Sequence, residues 1–522
     1  MRIRNSIVSF VVIYATCVAC NDGATNSVVI AGSSPIQQER AVTSQINPSN
    51  SAKAANHIIL LIADGMQLEH EIAASRYLYG NDFGMSWREF PKQGYVTTWD
   101  VTAYNKFALL DGAAPYSEST FDPVVGYDPG LAGSQPYPLQ DPATALDYYR
   151  GGTTGLAWWP ATDSASAATA MSTGHKTDDG NIAWSSGDPA GGALSTIAEQ
   201  LRTELGFAIG VVSTQPLSHA TPASFVAHNV NRNHYYTGKY GFDPNRIGIA
   251  DEIVLQTKPE VLISGGHPLK IDPTFSNNRL GYISEAAFDA APTMPDLVFV
   301  QRATGIDGAV ALDAGVARAV SENKRLFGLF GGGTGAFEFQ IATDTAGAPS
   351  VKRSTIENPT LADAAVGALR VLRQDAEGFF LMVEQGDVDY ANHANNYPSL
   401  IASMTDFERA VQAILAFVDE PDDAIHWDNT VVLVVADHAT GYLRLGQALG
   451  IGDLPTQDPH DPRYPEGVTW ATTGHSNELV TYSAKGPHLQ QALRDLASPY
   501  EDTDILDNTQ IYRALRLSAG LQ

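Results

Sequence analysis

The sequence predicts an α/β protein with a doubly wound, mostly parallel central sheet flanked by helices. Two observations predict this fold class. Continuous apolar runs, typical of strands buried on both faces, occur at His57–Ala63, Phe207–Val212, Phe379–Val383 and Thr430–Ala436. Helical patterns lie between these runs, at Ala193–Leu205, Leu361–Arg373 and Ser399–Val418. Strands that alternate with helices form parallel βαβ units, so a doubly wound sheet follows.

Length and charge limit the classes of function. The chain has 522 residues, of which 44% are hydrophobic, so it can bury a large core. Its formal net charge is −26, which argues against nucleic acid or an anionic membrane as the main partner. An anionic substrate stays compatible with this charge, because a few bound cations can reverse the local field.

The N-terminus, residues 1–20, reads as an export signal, so we expect a periplasmic or extracellular protein. Arg2 and Arg4 precede an apolar stretch from Ile7 to Ala19 that is too short for a stable membrane span. Val18-Ala19-Cys20 resembles a lipoprotein cleavage site, but Cys17 stands where leucine is usual, so a lipid anchor at Cys20 is left open. These are the only two cysteines, and no disulfide is expected in the mature domain.

The remaining chain divides into a tether and one large domain. Residues 21–53 are rich in Ser, Asn, Gln and Ala and are predicted to be a flexible tether. Residues 54–522 are predicted to form a single domain with loop insertions at about 105–160 and 441–469. The first insertion is too long for a structureless loop in a compact domain, so we expect it to cover a site entrance or form a subunit contact.

Residues that can bind metals follow each of the four apolar runs. In an open α/β sheet, ligands bind outside the carboxyl ends of the strands. The residues at these positions are Asp64 after the first run, His219 and Thr221 after the second, Glu384, Asp389 and His393 after the third, and Asp437 and His438 after the fourth. Each has an ordinary explanation, such as a turn or a helix-surface pair. Four such explanations at one edge are improbable together.

Ser164 lies in the stretch from Thr162 to Gly174, directly before an Ala-rich run that is predicted to be helical. The first turn of a helix favours anions, so this position suits a nucleophile that attacks a phosphoryl or acyl group. Taken alone, Ser164 is more readily explained as an N-cap, and Asp163 offers the same role.

The chemistry of the strand-end residues changes this interpretation of Ser164. Carboxylates and imidazoles without thiolates suit Zn²⁺ or Mg²⁺. Paired metal ions about 4 Å apart clamp the attacking and leaving oxygens in phosphoryl transfer. Beside such a cluster Ser164 becomes a nucleophile. Arg232 offers a bidentate fork for phosphate oxygens, although a lone arginine is more often a surface residue.

These residues resemble those of the metal-dependent alkaline phosphatases. The matching stretches, spread from His57 to Pro487, are Ile62–Met66, Thr162–Ala165 with His175–Thr177, His219–Ala223 with Arg232, Val383-Glu384, Asp389–His393, Ala436–His438 and Thr473–His475. The resemblance implies an alkaline-phosphatase-like fold and an exported enzyme that hydrolyses phosphate monoesters through a phosphoserine. It also implies two zinc ions, one magnesium ion and a homodimer.

Roles follow from the resemblance residue by residue. Ser164 is similar to the nucleophile, and Arg232, oriented by Asp163, to the phosphate clamp. The resemblance implies one zinc held by Asp389, His393 and His475, a second zinc held by Asp64, Asp437 and His438, and a magnesium held by Asp64, Thr221 and Glu384. His475 rests on the resemblance alone, since nothing in its local sequence singles it out.

His219 and Tyr390 depart from the familiar bacterial pattern, which has an aspartate and a lysine at these positions. Animal members similarly carry a histidine at the first position. His219 removes one negative charge near the third metal or ligates it directly, and Tyr390 cannot supply the cation of a lysine. We therefore expect weaker phosphate binding and leave the metal at the third site open.

Two alternative functions are considered. A phosphodiesterase or sulfatase of the same superfamily shares all or part of the paired-metal frame. Arg232 and the third-site residues Thr221 and Glu384 favour the monoesterase, because a monoester dianion exposes more charge to a guanidinium. A non-catalytic exported protein that binds metal or phosphate is the second alternative, and Ser164 argues against it.

Overall fold

The computed structural model describes residues 54–105, 114–123, 161–268, 281–338, 340–421, 424–446, 449–456, 467–500 and 503–522. The predictions for residues 1–20 and 21–53, and those for most of the insertion at 105–160, lie outside this part of the chain. The described residues belong to one compact unit, Lys53–Gln522.

Strands and helices alternate along most of the described chain. The strands are β1 His57–Ala63, β2 Lys92–Thr97, β3 Ala208–Pro216, β4 Val261–Gly265, β5 Leu297–Gln301, β6 Arg325–Leu329, β7 Gln340–Ala342, β8 Val351–Arg353, β9 Phe379–Gln385, β10 Thr430–Val435, β11 Ala439–Thr440, β12 Leu443–Leu445, β13 Val468–Trp470, β14 His475–Ser476, β15 Val480–Lys485, β16 Ser498–Tyr500 and β17 Thr503–Asp507. The α-helices are α1 Leu68–Tyr79, α2 Ser164–Thr173, α3 Ile197–Leu205, α4 Ala220–Val226, α5 Ile249–Asp251, α6 Glu285–Ala290, α7 Gly308–Glu322, α8 Leu361–Leu372, α9 Asp387–His393, α10 Tyr397–Val418, α11 Pro487–Leu496 and α12 Asn508–Ser518.

An 11-stranded sheet forms the centre, in the order β16-β17-β2-β15-β10-β1-β9-β3-β4-β6-β5. Every neighbouring pair from β10 to β5 is parallel. Antiparallel pairing occurs on the other side of the sheet, where β15 pairs with β10 and with β2, and β16 pairs with β17. The predicted mostly parallel α/β sheet is therefore confirmed.

The central strands β1, β9 and β10 bring their carboxyl ends to one edge. All residues of these three strands are buried, as their continuous apolar runs predict. Ile62 of β1 pairs with Glu384 on one side and with Val435 on the other. The register therefore places Asp64, Glu384 and Asp437 side by side at the same edge.

Helix caps explain where the observed helix boundaries differ from the predicted ones. The helix predicted from Ala193 starts at Ile197, because Thr196 caps it and forms a capping box with Glu199. The helix predicted from Ser399 begins earlier, at Tyr397, because Asn396 accepts a hydrogen bond from the Ser399 N–H.

The described parts of the two insertions are partly ordered by pairing and packing. In the first, the Phe121 ring packs edge-on against Tyr104 with centroids 4.9 Å apart, and Glu118 lies 3.0 Å from His175. In the second, β12 and β13 pair as an antiparallel ribbon. Among the described helices, none has the length and apolar character needed to cross a bilayer.

Candidate functional site

Helix α2 presents Ser164 at its first position. Asp163 is the N-cap, because its carboxylate accepts a hydrogen bond from the Ser166 N–H. The Ala-rich sequence favours a helix, all of its residues are buried, and Gly174 ends it in a left-handed conformation. Between the two residues offered as caps, the structure therefore selects Asp163. Ser164, which is 3% exposed, is free of that role, and its Oγ lies 3.1 Å from His438 Nε2.

Asp163 also holds Arg232. Its second carboxylate oxygen accepts a hydrogen bond of 2.7 Å from the guanidinium, and its first accepts bonds from the Ser166 and Gly180 N–H groups. Burial alone would raise the pKa of Asp163, but the Arg232 charge and these hydrogen bonds hold it well below its usual range. Arg232 is thus fixed beside the first turn of α2, with part of its side chain accessible from the cleft.

Asp64, Asp437 and His438 form the first cluster of metal-ligand type, with one potential ligand atom of each within 4.8 Å of the others. His438 Nε2 lies 3.3 Å from Asp64 Oδ1 and 3.5 Å from Asp437 Oδ2. Within the described residues, neither of these carboxylate oxygens accepts a hydrogen bond, although both are buried. Two buried oxygens left in this state indicate a cation.

Asp389, His393 and His475 form the second cluster. His393 Nε2 lies 3.1 Å from Asp389 Oδ2 and 3.2 Å from His475 Nε2. His475 Nδ1 lies 2.8 Å from the Thr162 carbonyl oxygen, which leaves Nε2 facing Asp389. The His438 and His475 rings stack with centroids 3.7 Å apart, so the two clusters are in direct contact.

Glu384 and Thr221 line the third side of the site. They share a cleft with Asp64, Ser164, Gln215, His219, Ala220, Arg232, Asp389 and Tyr390. Thr221 Oγ1 is buried and lies close to the Glu384 carboxylate. The Ser213 hydroxyl donates a short hydrogen bond to Glu384. The oxygen donors of Thr221 and Glu384 fit a hard cation such as Mg²⁺.

Burial and like charges shape the titration of this edge. Burial, together with the charges of Asp437 and Asp389, raises the pKa of Asp64 well above its ordinary value. Burial raises the pKa of Asp437 to about 7 and that of Glu384 to about 7. Carboxylates that cannot ionise together without compensation need cations at neutral pH.

The pKa values of the three imidazoles in the two clusters are shifted as well. Burial and the neighbouring His475 lower the pKa of His438 well below its ordinary value, and burial also lowers the pKa of His475. Neutral imidazoles keep a lone pair for a metal. Burial would lower the pKa of His393 as well, but the Asp389 carboxylate raises it to about 9.

His219 and Tyr390 line the same cleft. The His219 ring stacks on Tyr235, with centroids 5.6 Å apart, and meets Tyr282 edge-on at 5.1 Å. Burial and the positive charges of Arg232 and Lys239 lower the pKa of His219 to about 3. Tyr390 is 43% exposed and faces the same cleft as Arg232, so it supplies a hydroxyl and no charge there.

The structure thus brings together all the residues that the sequence analysis selected, and it adds two hydroxyls that the analysis missed. Ser213 contacts Glu384, and Thr440 contacts both Asp389 and His438. A weak signal for Thr440 was available. In an extended segment, residues two apart point to the same side, and Thr440 follows His438 by two.

Comparisons with known proteins identify a family. A family model described as alkaline phosphatase matches residues 156–456. Alkaline phosphatase 3 of Bacillus subtilis (strain 168) is 30% identical over 290 residues, which cover 55% of this chain and 50% of the relative, so the match spans about half of that protein. Alkaline phosphatase of Escherichia coli (strain K12) is 29% identical over 390 residues, covering 69% of this chain and 74% of the relative.

Solved structures share the fold. Alkaline phosphatase from the Antarctic bacterium TAB5 superposes with a TM-score of 0.54 at 22% identity, covering 90% of this chain and 99% of that one. Two variants of that enzyme, in which a histidine is replaced by aspartate or glutamate, have magnesium bound in a site named M3.

Proposed function

The chain belongs to the alkaline phosphatase family, and on that premise we propose that it hydrolyses phosphate monoesters to an alcohol and inorganic phosphate through a phosphoserine at Ser164. The observation that carries the proposal is the position of the Ser164 hydroxyl. It lies at the N-terminus of α2, 3.1 Å from His438 in a cluster of metal-ligand type, in a cleft that Arg232 also lines.

The donor atoms fit two zinc ions and one magnesium ion. Asp64, Asp437 and His438 would hold one zinc, because potential ligand atoms of all three lie close together. Asp389, His393 and His475 would hold the other, because both imidazoles lie close to the Asp389 carboxylate. Asp64, Thr221 and Glu384 would hold the magnesium through oxygen atoms. When bound, such cations neutralise developing negative charge and make hydroxyl groups and water ionise near neutral pH.

The chain's own residues position the phosphoryl group. Arg232, fixed by Asp163, binds two non-bridging oxygens, and the N-terminus of α2 directs its free N–H groups toward the same anion. The Ser164 hydroxyl gives its proton to solvent as its oxygen attacks phosphorus in line with the ester oxygen. The bond between phosphorus and the ester oxygen breaks, phosphoserine forms, and the leaving alkoxide takes a proton from solvent to give the alcohol. Water then attacks phosphorus on the side opposite the serine oxygen and loses a proton, the bond from phosphorus to serine breaks, and the serine oxygen takes up a proton as phosphate leaves.

His219 bears on the magnesium site. It occupies the N-cap position of α4, the helix that carries Thr221, and lines the cleft together with Thr221 and Glu384. The Antarctic variants that hold magnesium carry a carboxylate in place of a histidine. By analogy, a neutral His219 makes the third site of this chain a weaker magnesium site than one with an aspartate there.

Export and dimerisation complete the proposal. The Arg2 and Arg4 flanks and the apolar stretch before Cys20 support secretion to the periplasm or beyond, with a lipid anchor at Cys20 as one form. A homodimer is proposed from the family resemblance. Fractionation of the producing cells and sedimentation of the purified protein test these two points.

Trapping the intermediate tests the proposed mechanism. A phosphate monoester labelled in its phosphoryl group, quenched in acid, is expected to leave label on the wild type and none on Ser164→Ala. Comparing kcat/KM for a nitrophenyl phosphate and its methyl diester separates the monoesterase from the diesterase alternative. Absence of label in active wild type, or preference for the diester, would remove the proposal.

A further inference from the structure

One buried hydroxyl lies between the two metal-ligand clusters. Thr440 Oγ1 donates a hydrogen bond of 2.6 Å to Asp389 Oδ1, in the second cluster. The same oxygen lies 3.2 Å from Nδ1 of His438, in the first cluster. Thr440 is fully buried, so water does not compete for these contacts.

The direction of these hydrogen bonds follows from the chemistry of a hydroxyl. Thr440 has one proton, and a carboxylate such as Asp389 can only accept. The contact with His438 must therefore run from the Nδ1–H of the imidazole to the lone pair of Thr440. In a neutral His438 this hydrogen bond places the lone pair on Nε2, the nitrogen that faces Asp64, Asp437 and Ser164.

The backbone around Thr440 reaches the other ligands. Thr440 pairs with His475 in the short β11–β14 ladder, and its N–H donates to the Gly65 carbonyl at 3.2 Å. Gly65 follows Asp64, has φ +72°, and its own N–H donates to Asp437 Oδ1 at 3.1 Å. A Cβ on Gly65 would lie 2.9 Å from Thr440 Oγ1, so the two residues are in close contact.

We propose that Thr440 is a positioning residue that couples the two clusters, because its single hydroxyl orients Asp389 and sets the tautomer of His438. The proposal rests on the metal sites of the proposed function and adds a residue that sequence reasoning did not select. Partners that hold metal ligands in place typically change metal affinity by about 10- to 100-fold when removed. Loss of this one hydroxyl therefore weakens zinc binding at both clusters together.

Zinc titration of the metal-free protein tests the coupling without measuring turnover. Apoprotein competes with a chromogenic chelator for Zn²⁺, which yields one dissociation constant for each zinc. Thr440→Val is expected to raise both constants by about 10-fold or more. Thr440→Ser keeps the hydroxyl and is expected to bind both zinc ions within about threefold of wild type.

Thr405→Val is the matched control. Thr405 is also buried, but its hydroxyl donates to the Ile401 carbonyl within α10 and contacts no residue of the two clusters. Unchanged zinc dissociation constants in this variant show that the loss of just any buried threonine hydroxyl does not weaken zinc binding. If Thr440→Val changes neither constant, or only one, the coupling is refuted.

Two further measurements keep the test decisive. If Thr440→Val does not fold, Thr440→Ala replaces it, since alanine also removes the hydroxyl and adds no zinc ligand. Two zinc constants raised by about 10-fold or more support the proposal, and wild-type constants overturn it. Wild-type protein that binds two zinc ions without hydrolysing any monoester would end the phosphatase proposal and leave the coupling intact.

Discussion

Two sides of the cleft differ in how completely the protein satisfies its own charges. On the nucleophile side, Asp163 is buried, yet it accepts hydrogen bonds from Ser166, Gly180 and Arg232 and has a depressed pKa. On the strand-end side, Asp64 and Asp437 are also buried, but their pKa values are raised. Each has one carboxylate oxygen, Asp64 Oδ1 and Asp437 Oδ2, that accepts no hydrogen bond from the described residues. On the nucleophile side, protein groups compensate the buried carboxylate charge, whereas the carboxylates of the strand-end side require cations.

The difference separates binding from activation. The nucleophile side can bind a phosphate without metal, through the Arg232 guanidinium and the N-terminus of α2. The strand-end side does not activate the nucleophile at neutral pH until cations bind there, because its carboxylates repel one another. Mutations on the two sides should therefore affect different observables.

The largest expected effect is the loss of the nucleophile. Ser164→Ala should lower kcat by on the order of 10⁴-fold or more while zinc content is unchanged, because Ser164 supplies the reacting oxygen and is not a ligand. Ser172→Ala is the matched control, since Ser172 is a buried serine of the same helix whose hydroxyl donates to the Thr169 carbonyl. Substantial residual turnover in Ser164→Ala would point to a different nucleophile.

Metal removal should give the next largest effect and should depend on pH. Folded-state pKa values of about 7 for Asp437 and Glu384 exceed the ordinary carboxyl values, so the folded apoprotein holds more protons than the unfolded chain. The contribution of these two carboxyl groups to stability is therefore fully present below about pH 4 and is lost as pH rises through 7.

Calorimetry of the apoprotein between pH 5 and 8 measures this slope. We expect Tm to fall by about 5 °C or more over that range, and to stay nearly level when zinc and magnesium are bound. An apoprotein whose Tm rises from pH 5 to 8 would show that these carboxylates ionise without cations.

Removal of the Arg232 guanidinium should have a smaller effect, which is confined to the binding and transfer of the phosphoryl group. Arg232→Ala is expected to lower kcat/KM for a monoester by about 10²-fold, because charge-assisted contacts to the transferring group are lost. Zinc content should be unchanged, since Arg232 pairs with Asp163 rather than with a metal ligand. Loss of zinc in this variant would contradict the separation of the two sides.

The smallest effect is expected at Tyr390. Tyr390→Lys adds a cation beside the same cleft as Arg232, so inorganic phosphate should inhibit more strongly, by about fivefold. The change is modest because Tyr390 is 43% exposed and the new charge is screened by solvent. An unchanged inhibition constant for phosphate would remove Tyr390 from the account.

The site residues that lie at the ends of buried strands could be predicted from the sequence. Asp64, Glu384 and Asp437 directly follow apolar runs, and their convergence is a consequence of the parallel register. His475 was different. It lies on a two-residue strand that only the pairing with β11 brings to the site, and no periodicity marks such an element.

The role of Ser164 was open for a related reason. A serine and an aspartate before an Ala-rich run are both good caps, and local sequence does not choose between them. The choice depends on Arg232 and Gly180, which reach Asp163 only in the folded chain. Thr440 and Ser213 were missed because hydroxyls that orient ligands have no sequence pattern of their own.

Metal analysis combined with activity is the most direct measurement of the central claim that cations complete the strand-end side. Purified protein is expected to contain two zinc ions per chain and to lose phosphomonoesterase activity on chelation. Zinc should restore most of the activity, and magnesium the remainder. Full activity in protein verified to be free of metal would contradict the account.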